Sequence, residues 1–181
     1  MSNSNTLTSL TQTLKSWPVI TAVTIGLCAL TQWGAKAVFG IDLPEQDQLQ
    51  VIRAEAGLTL RFAGLLAMVL VASPVVEELL FRLVLFKLPA KALSVWGTRA
   101  AWGVAAVASA VFSAAHYPDW LAVRQTGRMA WLPLSNAVLA LGFFGLAQCW
   151  LYRRANSLVS PIVNHFLFNL TNLALMFIIP E

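Results

Sequence analysis

From Thr59 to Phe86 the chain is built almost wholly of leucine, valine, alanine and phenylalanine, and near the far end of that run stand Glu77, Glu78 and Arg82. The run exceeds the roughly 20 residues a helix needs to cross a hydrocarbon core. Each of the three charged side chains costs roughly 2.5–3.5 kcal/mol near the middle of a spanning helix, so together they ask for compensation of about 8–10 kcal/mol. Spacing supplies part of it. Glu78 and Arg82 are one helical turn apart and share a face, where they can form an ion pair. Glu77 is rotated about 100° from its neighbour and is left without a partner in its own helix. An intramembrane carboxylate of that kind marks a functional site by default.

The rest of the chain agrees with a membrane setting. It is 58% hydrophobic and 11% charged, against about 25% charged in ordinary globular domains. The formal charge of +4 reflects membrane orientation rather than a nucleic-acid surface, since no basic patch with interleaved aromatics exists. Cys28 and Cys149 lie in separate apolar segments and fit neither a disulfide framework nor a CxxC metal site, so they read as small buried hydrophobes. No repeat or linker divides the 181 residues. The expected fold is all-α: a single polytopic membrane domain of about five transmembrane helices around a polar intramembrane site. The spans are expected at about Pro18–Phe39, Thr59–Phe86, Ala100–Tyr117, Leu132–Tyr152 and Leu158–Ile179, with Asp42–Glu55 as a juxtamembrane loop or interfacial helix. A cytoplasmic N-terminus puts Lys15, Lys87, Lys91, Arg99, Arg153 and Arg154 on the inner side.

Both histidines of the protein fall inside expected spans, His116 in AVFSAAHYP and His165 in SPIVNHFLFN. His165, Asn169 and Asn172 share one face of the last span, as Phe112 and His116 share one face of the third. Ala101, Ala105, Ser109 and Ser113 make a small-residue ridge of the kind that lets two helices approach closely in lipid. Measured from Lys87, Arg154 and Arg99 at 1.5 Å per residue, Glu77 lies about 15 Å deep, His165 about 16 Å and His116 about 25 Å. A tilt of about 40° in the third span narrows that gap to a small residual. Pro74 and Pro161, each just ahead of a polar residue, are expected to bend their helices and open a water-accessible cavity at this depth.

EELLFR, FSAAH and HFLFN, in that order and in separate spans, resemble the EExxxR, FxxxH and HxxxN motifs of the CPBP family of intramembrane proteases. That family includes the type II CAAX prenyl endopeptidases and proteins of bacteriocin processing and immunity. The resemblance covers about Leu58 to Ile179, leaving residues 1–57 as a variable N-terminal helix and juxtamembrane segment. Leu83 departs from the glycine that many members carry after the arginine. The resemblance implies a bacterial plasma-membrane peptidase acting on a membrane-anchored protein or peptide. Glu77 would be the general base that activates water, His116 would orient that water, and His165 with Asn169 would stabilise the oxyanion. Glu78 and Arg82 would form the structural pair beside them. A serine mechanism through Ser113 lacks a third group to orient the base.

Glu77, His116 and His165 could instead hold a catalytic zinc. HExxH is absent, however, and no carboxylate is evident behind either histidine, so no cofactor is the favoured reading. The competing class is non-enzymatic: a scaffold or immunity protein that keeps the cluster for assembly. Transport, the other use of buried acids and imidazoles, is disfavoured by five spans without an inverted repeat.

Overall fold

Hydrocarbon offers a backbone no hydrogen bonds, so apolar runs of this length must satisfy themselves as helices. A computed structural model describes residues 3–40, 47–57, 59–116 and 137–178, and among these there is no strand. Helix α1 spans Asn3–Phe39 and includes the polar leader ahead of Pro18. Helix α2, Asp47–Ala54, is the juxtamembrane helix; it seats Ile52 against Val69 and Leu173. Helix α3 covers Leu60–Ala92 and starts at Thr59, whose hydroxyl caps the Phe62 N–H at 3.0 Å. A short 3-10 turn, Ser94–Trp96, leads to α4, Gly97–Ala115. Helix α5 occupies residues 137–155. It ends where Asn156 turns left-handed at φ 46°, and the Ser157 hydroxyl then accepts the Val159 N–H as α6, Val159–Ile178, begins.

Four of these helices, α1, α3, α4 and α6, are long and apolar enough to cross a membrane. The chain is a multi-pass all-α membrane protein. The expected fourth crossing begins at Leu132, outside the described residues, and the expected ends at Tyr117 and Ile179 lie outside them too. Its described part, α5, is not among the four, because Gln148 and the Arg153–Arg154 pair dilute its apolar stretch. It is instead the axle of the bundle, packed against α1, α3, α4 and α6. Its buried Phe144 and Leu151 join Ile20 of α1, Phe81 of α3, Phe112 of α4 and Phe168 of α6 in one core. The N-terminal helix therefore shares the core with the motif-bearing helices.

Two expectations about local structure are corrected. Pro161 lies in the first turn of α6, where a missing N–H removes no helical bond, so it forces no bend. Cys149 is fully buried as expected, but Cys28 is only half-buried.

The small-residue ridge on α4 packs as read: Ala105, Ser109 and Ser113 are buried. Their hydroxyls turn back on their own helix, Ser109 to the Ala105 carbonyl at 2.7 Å and Ser113 to the Ser109 carbonyl at 2.9 Å. What receives the ridge is Gly145 of α5. A Cβ built there would stand 2.9 Å from Ser109 Cβ and 3.1 Å from its Cα, so the two backbones approach more closely than any side chain permits. Gly145→Ala should therefore lower stability by about 1–3 kcal/mol, read by denaturant or thermal unfolding in detergent. Adding Ser109→Gly should restore most of the loss.

Candidate active site

The site begins with a defect in α3. Pro74 has no N–H, and the Ser73 N–H reaches five residues back to the Met68 carbonyl, so Met68–Ala72 winds as a π segment. In that pattern the Val69 carbonyl would bond to residue 74, which is proline and cannot donate. Asn169 of α6 takes the vacated acceptor, its Nδ2 donating to Val69 O at 2.9 Å. A helix-to-helix bond thus fixes α6 against α3 about two turns ahead of the carboxylates. A second π segment, Leu79–Lys87, follows Glu78.

Glu78 has no exposed surface. Its Oε2 accepts from Arg82 Nε at 2.7 Å and its Oε1 from His165 Nδ1 at 2.9 Å. Because a carboxylate only accepts, His165 carries its hydrogen on Nδ1 and turns Nε2 the other way. That nitrogen lies 3.8 Å from Glu77 Oε2, so the imidazole is wedged between the two adjacent glutamates. His116 directly follows the last residue of α4, and its Nδ1 donates to the Phe112 carbonyl at 2.8 Å. Its Nε2 is 3.5 Å from the same Glu77 oxygen. The other oxygen of Glu77 accepts a hydrogen bond from Ser73, four residues earlier. One carboxylate oxygen is held by the helix, then, and the other faces both imidazoles without a conventional hydrogen bond.

Exposure grades across this cluster. The side chains of Glu77 and His116 are 21% and 23% exposed, His165 is 4%, and Glu78 and Arg82 are 0%. The accessible rim is Glu77 with His116; the dry interior is the ion pair. Aromatic rings wall that interior: Phe144 stands edge-on to His165 at 5.1 Å, Phe112 is 4.4 Å from His116, and the Arg82 guanidinium lies 5.4 Å over Phe112.

All six residues expected at the site are placed around it. Glu77, His116 and His165 converge, Glu78 and Arg82 form the foreseen pair, and Asn169 lies one turn from His165. The count from Arg154 still leaves His165 at about 16 Å, but the gap between Glu77 and His116 narrows because α3 runs past Lys87 to Ala92. Counted from there, Glu77 is about 22 Å in. Three features went unread. Glu78 holds His165 as well as Arg82, so a carboxylate does back one histidine. Cys149 is more than a small hydrophobe: its sulfur receives an Arg82 N–H at 3.6 Å. Gln148 of α5 pins α6, donating to Pro161 O at 3.3 Å and accepting from Asn164 Nδ2 at 3.2 Å; a lone amide in an apolar helix was the available signal.

A metal would need three donors around one point. Among the described residues no group of three or more His, Cys, Asp or Glu side chains has the arrangement of a metal site, the Nε2 atoms of His116 and His165 standing 3.5 and 3.8 Å from Glu77 Oε2.

Removing one member of the buried pair strands a charge. Arg82→Met should lower stability by about 3–5 kcal/mol, whereas Glu78→Leu with Arg82→Met should recover most of it. That double variant leaves His165 Nδ1 without its acceptor, so unfolding curves and activity should part company in it.

A family model, Type II CAAX prenyl endopeptidase Rce1-like, matches residues 59–171, well over half of the chain. Nothing among curated proteins and nothing among solved structures matches it. The matched stretch runs from the cap of α3 to the turn after Asn169 and so takes in every residue of the cluster. This chain belongs to the Rce1-like family of type II CAAX prenyl endopeptidases, a family of membrane proteases.

Proposed function

We propose that the protein is an intramembrane endopeptidase in which Glu77 activates the attacking water without a metal. The observation that carries this reading is one unbonded carboxylate oxygen, Glu77 Oε2, itself buried on a side chain that is 21% exposed, turned toward the Nε2 atoms of two imidazoles at 3.5 and 3.8 Å. A water at that rim would give its proton to Glu77 as its oxygen bonds to the scissile carbonyl carbon. His116, with Nδ1 committed to Phe112, has Nε2 available to accept from the same water and orient it. The resulting oxyanion would be met by the second N–H of the Asn169 amide. His165 can add a donor from Nε2 as the imidazolium, because its Nδ1 hydrogen is committed to Glu78. Collapse of the tetrahedral intermediate breaks the C–N bond, and the proton held by Glu77 passes to the leaving amine.

The substrate in this reading is a membrane-anchored protein or peptide whose scissile bond reaches the site from the bilayer. The family name points to prenylated tails, and a prenyl group is one anchor that would bring a peptide to this depth. In this reading the N-terminus is on the cytoplasmic side of a plasma membrane, which the gathering of Lys87, Lys91, Arg99, Arg153 and Arg154 at one end of the bundle supports.

Reconstituted protein should cleave membrane-anchored candidate peptides, and Glu77→Gln should slow cleavage by about 10²–10⁴-fold with the unfolding midpoint unchanged. Equal cleavage by both forms would remove Glu77 as base, and cleavage by neither would favour the immunity or scaffold role. Thorough chelation with a tight zinc binder should leave the rate unaltered; a rate lost on chelation and recovered only with zinc would replace the metal-free reading.

A further inference from the structure

At the end of the bundle opposite Thr59, three helices deliver cations to one rim. Lys87 and Lys91 stand in the last turns of α3, Arg99 in the first turn of α4, and Arg153 with Arg154 in the last turn of α5. All five are exposed. None pairs with an acid among the described residues, and the sequence explains why. Asp119 and Glu181 are the only acids after Glu78, and neither belongs to these helix ends. Aromatic rings take the place of counter-ions. Lys87 lies 5.9 Å over Tyr152, Arg153 5.1 Å over Trp102 and Arg154 5.4 Å over Trp150. A ring fixes where a cation sits but does not neutralise it, so each head group keeps its full charge and its outward donors. Tryptophan and tyrosine are also the side chains that settle at the headgroup level of a bilayer.

We infer that this rim binds the headgroup phosphates of anionic phospholipids. The complement is one of charge and of place: five exposed cations with no acid partner among the described residues, three of them held over aromatic rings, stand together at one end of the bundle. The guanidinium fork of Arg153 or Arg154 matches two phosphate oxygens at once. The opposite end of α3 is built otherwise, since Arg61 there meets Glu55 at 2.9 Å and presents no spare charge. The rim therefore gives the bundle a preferred leaflet and a fixed depth, whatever reaction the site performs.

The test is native mass spectrometry of lipid retained by the protein after extraction from vesicles of equimolar phosphatidylglycerol and phosphatidylcholine. A basic side chain close to an anionic surface is worth about fivefold in association. The native protein should therefore retain phosphatidylglycerol over phosphatidylcholine by fivefold or more, and Arg99→Gln/Arg153→Gln/Arg154→Gln, which leaves Lys87 and Lys91, should cut that ratio at least fivefold. Arg61→Gln should leave it unchanged. Arg153→Lys/Arg154→Lys, which keeps charge and fold, should give an intermediate ratio because it loses the flat stacking and the fork. No enrichment in the native protein would overturn the inference. So would a triple variant that retains the ratio, or an equal loss in Arg61→Gln, which would trace the effect to net charge. Displacement of phosphatidylglycerol by a peptide with a C-terminal carboxylate, but not by inorganic phosphate, would assign the rim to substrate instead.

Discussion

Glu78 is a carboxylate with no exposed surface in a bundle whose surroundings are hydrocarbon, and an ion so placed must find its compensation within about 3 Å. Arg82 supplies the charge at 2.7 Å and His165 a second hydrogen bond at 2.9 Å. Two helices are thereby committed to one geometry. Arg82 is fixed on α3 by the pair, by the ring of Phe112 below it and by the sulfur of Cys149 beside it. His165 is fixed on α6 in a single tautomer. Once those positions are set, Nε2 of His165 can point only toward Glu77, and the accessible half of the site follows from the buried half.

The backbone obeys the same rule that polar groups in lipid must be satisfied internally. Pro74 leaves the Val69 carbonyl without a donor, and Asn169 answers from the neighbouring helix. A break in one helix becomes a tie between two, and the tie lies within one turn of the histidine. Gln148 makes a comparable tie from α5 to the start of α6 through Pro161 and Asn164. Lipid gives no hydrophobic reason for helices to associate, so such bonds and close small-residue contacts do that work. The approach of Gly145 to Ser109 is one such contact.

Much of this was legible in the chain. The charged trio in an apolar run, the i,i+4 pairing of Glu78 with Arg82, the two intramembrane histidines and the ridge on α4 all follow from spacing and the cost of charge in lipid. Illegible features had a common cause, which is dependence on a partner distant in sequence. His165 and Glu78 are brought together by the packing of α6 on α3, and no periodicity within either helix foretells it. Helix α5 reads as another crossing because its pattern is apolar, while its role as the axle depends on what surrounds it. The π segments change the register of α3, and that change makes sense only with Asn169 in place to repair it.

The sequence by itself determined the class and the cast: an all-α membrane protein, with an acid pair, an arginine, two imidazoles and an amide spread over three apolar segments. Each of those conclusions rests on a local cost, of charge in hydrocarbon or of an unbonded backbone. Tertiary structure alone decided which glutamate is buried and which is presented. Helical spacing already pairs Glu78 with Arg82 and leaves Glu77 over, but that His165 reaches Glu78 and His116 reaches Glu77 comes from the packing of α6 and α4 on α3.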